Sequence, residues 1–148
     1  MQIRFMRLKS GDRDLARNLF IVMAEVFNEE RETLSNDYID QLLSRDEFWA
    51  IAAFANDQIV GGITAHTLPM TRPETSEVFI YDVAVRHDQQ RKGVGRRLVS
   101  ELRKGAAANG IHHVFVSVDN ADLHALDFYR ASGGTPSAVT FFTFEKSD

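Results

Sequence analysis

Apolar and polar residues alternate from Ile3 to Leu8 and then switch to helical spacing at Leu15, Leu19, Val22, Met23, Val26 and Phe27. The pattern predicts a first strand, a turn at Ser10-Gly11-Asp12 that offers an N-cap, and a helix running into the acidic stretch Asn28-Glu29-Glu30-Arg31-Glu32. Ser35 or Asn36 would cap a second helix carrying Tyr38, Ile39, Leu42 and Leu43. The run Phe48 to Ala55 reads as a buried strand, closed by an Asn56-Asp57 hairpin turn into a strand over Gln58 to Leu68. Gly61-Gly62 inside it predicts a bulge or a close backbone approach.

After a loop over Pro69 to Ser76, a central strand is expected from Glu77 to Val85, followed by a helix from about Gly93 to Asn109. Val94, Leu98, Leu102 and Ala106 form its apolar stripe, and Gly110 supplies the stop. Val114 to Val118 predicts another strand. Asp122 is placed to cap a helix with Ala125, Leu126, Phe128 and Tyr129, ended by Gly133-Gly134, and Val139 to Phe144 predicts a last strand. This order implies a mixed α/β fold, read as one domain over residues 1–148.

Composition narrows the chemistry more than the fold. With no cysteine there is no disulfide, thiolate metal site or cysteine nucleophile. The start of the chain lacks a signal-peptide apolar core, and the longest apolar run, Phe48 to Ala55, is too short to span a bilayer, so a cytoplasmic protein with no membrane partner is expected. A net charge of −4 argues against nucleic acid. Charge is unevenly spread: Glu25 to Glu47 holds eight acidic residues against Arg31 and Arg45, whereas Arg86 to Lys104 holds seven basic residues against Asp88 and Glu101. The two segments suit ligands of opposite sign, a polyanion and a polycation, although solvated helix faces would look the same.

The sharpest motif is Gln90-x-x-Gly93-x-Gly95, between the strand Val83-Ala84-Val85 and a helix. Glycines admit a ligand close to the backbone, and the free N–H groups of a helix start bind an anion. Neither a Walker A loop nor a Rossmann turn fits: Arg96 and Arg97 follow the glycines, and the motif lies past the middle of the chain. The stretch resembles the acetyl-CoA-binding motif of the Gcn5-related N-acetyltransferase (GNAT) superfamily. That resemblance implies acetyl-CoA as cosubstrate and a mostly antiparallel central sheet flanked by helices. Its fourth and fifth strands splay apart, with the pantetheine arm in the gap. It also implies cofactor contacts from Val83, Val85, Gln90, Arg91, Lys92, Gly93, Val94, Gly95 and Arg96, with the Val85 N–H as donor to the acetyl carbonyl.

The likeness extends through Asp37-Tyr38, Ala52-Ala53-Phe54, Ile80-Tyr81-Asp82-Val83-Ala84-Val85, Asp119, Asp122, Ala125 and Tyr129 to Gly133. Together these resemble the type I aminoglycoside 3-N-acetyltransferases. Departures from that pattern stand at Gly95, Gly134 and Thr143. The implied substrate is a polycationic aminoglycoside; a polyamine, an amino sugar or a peptide N-terminus is the alternative within the superfamily, and a non-catalytic acyl-CoA sensor the alternative outside it. A homodimer is expected from the family likeness and the Phe-rich C-terminal strand.

Acetyl transfer to an amine needs a neutral amine, a donor to the oxyanion and a proton for the thiolate. Without a cysteine or a Gly-x-Ser-x-Gly elbow, direct attack is the economical route. Asp82, inside an apolar strand, is the expected base, since burial raises a carboxyl pKa; its alternative is a structural carboxylate held by backbone or arginine. Asp119, Glu29, Glu30 and Asp37 are the further acidic candidates for holding a cationic substrate, with a turn-forming Asp119-Asn120 as the competing reading of Asp119. By resemblance Tyr129 protonates the departing thiolate; by pattern alone it packs beside Leu126 and Phe128. The five histidines show no metal-ligand spacing, so no metal is expected.

Overall fold

Five strands, β1 (Ile3–Arg7), β2 (Phe48–Ala55), β3 (Gln58–Pro69), β4 (Ser76–Val85) and β5 (Val114–Val116), form one sheet in the order β1-β2-β3-β4-β5. The computed structural model describes residues 2–30 and 32–147, so Arg31 of the acidic stretch lies outside the described residues. The chain divides into two compact units, Met1–Ser117 and Val118–Asp148. The first four strands are antiparallel neighbours and β5 joins β4 in parallel.

Local chemistry accounts for the antiparallel half. Asn56 and Asp57 take φ of 50° and 65°, the left-handed pair that a two-residue hairpin turn requires. At Gly61 both expectations hold: the register slips beside it, and a Cβ there would sit 2.5 Å from the Ala84 carbonyl oxygen. On one face α1 (Arg13–Val26) and α2 (Asn36–Ser44) cover Phe48, Ala50, Ala52, Phe54 and Ala84 with Leu19, Val22, Ile39 and Leu43. The opposite face carries Trp49 against Gly105 of α3 (Val94–Ala108), whose stripe Val94, Leu98, Leu102 and Ala106 is buried.

Helix ends differ from expectation at one place. The Asp12 carboxylate accepts from the Lys9 N–H at 2.8 Å and caps nothing in α1, because the Gly11 turn aims it backwards. Ser35 caps α2 by accepting from Tyr38 N–H. Gly110, at φ 74°, closes α3 with Ile111 N–H bonded to Ala106 O.

In the second unit, Asp122 caps α4 (Leu123–Ala131) by accepting from Ala125 N–H at 3.1 Å, and Gly133 at φ 101° ends it. The predicted strand over Val139 to Phe144 is absent: residues 135–147 hold no helix or strand, and Val139, Phe141, Phe142 and Phe144 are exposed. High β-propensity expresses fitness for a ladder and does not by itself make a strand. The predicted Val114 to Val118 strand likewise ends at Val116, where its pairing with β4 stops.

Candidate active site

The basic loop has the build of an anion site. Arg91 (φ 63°) and Gly93 (φ 82°) both take left-handed conformations, and Gly93 is the N-cap of α3 without any side-chain cap. Arg97 N–H bonds back to Gly93 O at 3.0 Å, so the first intrahelical bond falls there, and the amides of Val94, Gly95 and Arg96 precede the helical ladder. No acidic residue stands in the first turn. Arg96 occupies it instead, where a cation opposes the helix dipole and an incoming anion would reverse that penalty. Arg97 is committed elsewhere, its guanidinium 4.6 Å from the Phe5 ring centroid. Arg91, Lys92 and Arg96 are exposed. Gly95 keeps an ordinary φ, so its own backbone does not require glycine.

Gln90 braces this loop to the strand before it: Nε2 donates to Val85 O at 2.9 Å and lies 3.4 Å from His87 Nδ1. A short 3₁₀ turn, His87–Gln89, fills the interval. The Gln89 Oε1 is buried and has no partner among the described residues.

β4 has two halves with opposite parity. In the first, Val78 N–H points toward the β5 side, where it bonds His113 O at 2.9 Å. Register then jumps from Ile80↔Ala65 to Asp82↔Thr64, leaving Tyr81 as the extra residue of a bulge. In the second half Arg86 N–H bonds Val60 O on the β3 side, so alternation turns the N–H groups of Val83 and Val85 to the other edge. Pairing with β5 ends at Ile80↔Val116, and beyond it no strand covers that edge among the described residues. The expected divergence of the fourth and fifth strands is present, with the Val83 and Val85 amides facing it.

Asp82 is opposite Thr64, on the face that α1 and α2 cover, since Ala84 two residues on belongs to that core. It is half-buried, and no hydrogen bond or ion pair engages its carboxylate among the described residues. Burial first, and the like charge of Glu29 second, push its pKa above the ordinary carboxylate range. Glu29 follows α1, its N–H bonded to Ala24 O, and is exposed. Glu30 is exposed beside it.

Three more acids of this segment act on arginines elsewhere. Asp37, in the first turn of α2, acts on Arg13, whose guanidinium binds Asp40 and pins α2 to α1. That bond draws Asp40 below the usual carboxylate range. Asp46 acts on Arg7.

Asp119 and Tyr129 belong to the second unit. The Asp119 side chain accepts from Ala121 N–H at 2.8 Å and its carbonyl from Asp122 N–H at 2.9 Å, the turn-forming arrangement that opens α4. Tyr129 is half-buried on α4, its ring edge-on to Phe128 at 4.9 Å. The residue that sequence reasoning passed over is Tyr81. It reads as a core strand position, yet it is 63% exposed; the signal lay in the register between β3 and β4, which one strand alone does not carry.

No group of three or more His, Asp or Glu side chains among the described residues could hold a metal ion, and no helix among them is long and apolar enough to cross a membrane. Comparison with known proteins gives the family: residues 14–133 match the Acetyltransferase (GNAT) family, and the chain belongs to it. Its fold and its standing as an N-acetyltransferase follow from that membership. The uncharacterized N-acetyltransferase YvbK of Bacillus subtilis (strain 168) is 31% identical over 129 residues, covering 83% of this chain and 79% of YvbK.

Among solved structures, an aminoglycoside acetyltransferase, HMB0005, from an uncultured soil metagenomic sample superposes with a TM-score of 0.93 at 30% identity, over 99% of this chain and 100% of that one. A second aminoglycoside acetyltransferase of soil metagenomic origin, meta-AAC0020, solved in complex with sisomicin, gives 0.89 at 28% identity over 97% of each chain.

Proposed function

We propose that the protein transfers the acetyl group of acetyl-CoA directly to the 3-amino group of a 2-deoxystreptamine aminoglycoside, acting in the cytoplasm as an antibiotic-resistance enzyme. The observation that carries the reading is Asp82, a half-buried carboxylate of raised pKa without a partner among the described residues, on which Glu29 acts. Two carboxylates that act on one another suit a polycationic substrate, and meta-AAC0020, which is similar over nearly all of this chain, was solved with sisomicin bound.

The residues fit acetyl-CoA as cosubstrate. The α3 start has free amides at Val94, Gly95 and Arg96, no acid, and Arg91, Lys92 and Arg96 exposed around it. Gln90 steadies the loop by its bond to Val85 O. Acetyl-CoA supplies an activated acyl group as its thioester. Asp82 accepts a proton from the ammonium, for which a raised carboxyl pKa is an advantage. Glu29 and Glu30 draw the cationic acceptor in, and Asp37 and Asp119 are the further acidic candidates for holding it. The N–H of Val85 donates to the oxygen that gains charge, and Val83 offers a second amide on the same edge. Tyr129, in the Tyr129-x-x-x-Gly133 spacing that resembles the family's, gives a proton to the leaving sulfur.

Thiol release from acetyl-CoA tests this with gentamicin- and kanamycin-type drugs, spermidine and a short peptide. Turnover confined to the drugs is expected, with mass spectrometry and NMR locating the acetyl group on the 3-nitrogen. Turnover of spermidine or peptide alone sinks the aminoglycoside assignment. A linear polyamine is the second reading, since Glu29 and Asp82 would attract any polycation.

A further inference from the structure

Tyr81 is a large aromatic residue in the middle of a central strand, and it faces outward at 63% exposure. The exposed ring leaves a flat apolar face with a polar tip open to a ligand. Its orientation is fixed without one. The His66 ring meets it edge-on at 6.0 Å and 89°, the Phe79 ring at 6.1 Å and 84°. Phe79 is itself stacked on Phe115 at 5.1 Å, and His66 lies against Phe48 at 5.3 Å. A row of rings drawn from β2, β3, β4 and β5 therefore buttresses Tyr81 from two sides.

The bulge puts this ring beside the candidate base. Tyr81 has no partner on β3, and its contacts with His66 and Phe79, which pair across the strands, set it on the face where Thr64 and Asp82 pair. In an unbulged strand, residues 81 and 82 would point to opposite faces. Here a rigid aromatic face and a carboxylate of raised pKa share one side, with Glu29 close enough to act on that carboxylate.

We propose that Tyr81 is a substrate-specificity residue: its ring is the platform on which an amine-bearing sugar or cyclitol ring of the acceptor stacks while Asp82 receives that ring's amine. The C–H face of a pyranose or cyclohexane ring carries slight positive charge and apolar area, the complement of a phenol face, and a neighbouring ammonium adds a cation–π attraction. A linear polyamine satisfies Asp82 and Glu29 but has no such face to lay on Tyr81. The platform thus selects among polycations where charge alone does not. This rests on the acetyl-transfer reading and names the acceptor class for the same site.

Steady-state kinetics of Tyr81→Ala and Tyr81→Phe with a gentamicin-type drug, glucosamine and spermidine test it. For Tyr81→Ala, KM for the drug should rise about tenfold with kcat within about threefold, while kcat/KM for spermidine stays within about twofold of wild type. Tyr81→Phe keeps the ring and should stay near wild type with every acceptor. CoA affinity and the melting temperature of both variants, measured alongside, should match wild type because the residue is exposed. The proposal is overturned if Tyr81→Ala leaves drug KM unchanged, if drug and spermidine suffer alike, or if Tyr81→Phe is as damaging as Tyr81→Ala. Wild type inert toward drugs but active on glucosamine would refute the aminoglycoside assignment alone, with the Tyr81 split then read on glucosamine against spermidine. Wild type active only on spermidine overturns both.

Discussion

Replacing Gly93 by alanine separates the conformational role of the loop from its role toward phosphate. Gly93 has φ 82°, and a Cβ built there meets nothing within 4 Å. Sterics therefore contribute nothing in the free protein, and the cost is the left-handed backbone, about 1–2 kcal/mol for an L side chain. At about 2–4 °C per kcal/mol for a chain near this size, melting should fall by about 2–8 °C. Asparagine tolerates the left-handed region better, so Gly93→Asn should lose less.

Acetyl-CoA affinity should fall further than stability requires. If the strained turn misdirects one amide of Val94, Gly95 or Arg96, one charge-assisted hydrogen bond worth about 1.5–3 kcal/mol is lost, a roughly 10- to 150-fold rise in Kd. Calorimetric titration of CoA and thermal melts of wild type, Gly93→Ala and Gly93→Asn read both quantities. A variant that melts lower yet binds CoA as wild type does would refute the assignment of this loop to the phosphates. One that melts unchanged would refute the left-handed cap itself.

Two further outcomes concern the acid pair. Asp82→Asn should cut kcat by about 10²–10⁴-fold with CoA affinity intact. A raised folded-state pKa means that Asp82 favours folding below its unfolded value of about 3.9 and loses that contribution as pH climbs through the folded value, so the ionised carboxylate is a liability at neutral pH. Asp82→Asn should then melt at or above wild type at pH 7, with the lead shrinking toward pH 4; a clear loss of stability at pH 7 would show a structural carboxylate. Glu29→Gln removes the like charge, so the acidic limb of the kcat/KM–pH profile should move to lower pH, and a limb that stays in place disconnects Glu29 from Asp82.

What the sequence made legible was local. The spacing of Val94, Leu98, Leu102 and Ala106, the left-handed pair Asn56-Asp57 and the stop at Gly110 each depend on a few neighbouring residues, and all stand in the structure. What it hid depends on partners far along the chain. Asp40 looked like one more charge in an acidic run, but Arg13, 27 residues earlier, holds it. Val139 to Phe144 has strand composition yet forms no strand. Asp82 could be picked out as a carboxylate in an apolar strand, whereas Glu29 as its neighbour, and Tyr81 as an outward ring on its side, required the β3 register and the path of the chain after α1.

The bulge at Tyr81 also sets how the strand can vary. A substitution there alters one side chain, but loss of one residue would restore the simple alternation of β4 through Val85. Asp82 would then follow Ile80 directly and stay opposite Thr64, so Asp82 and the amides of Val83 and Val85 would keep their faces while the outward ring is lost. Deletion of Tyr81 thus removes the ring and spares the two faces, so a library of length variants can separate the platform from the machinery of acetyl transfer.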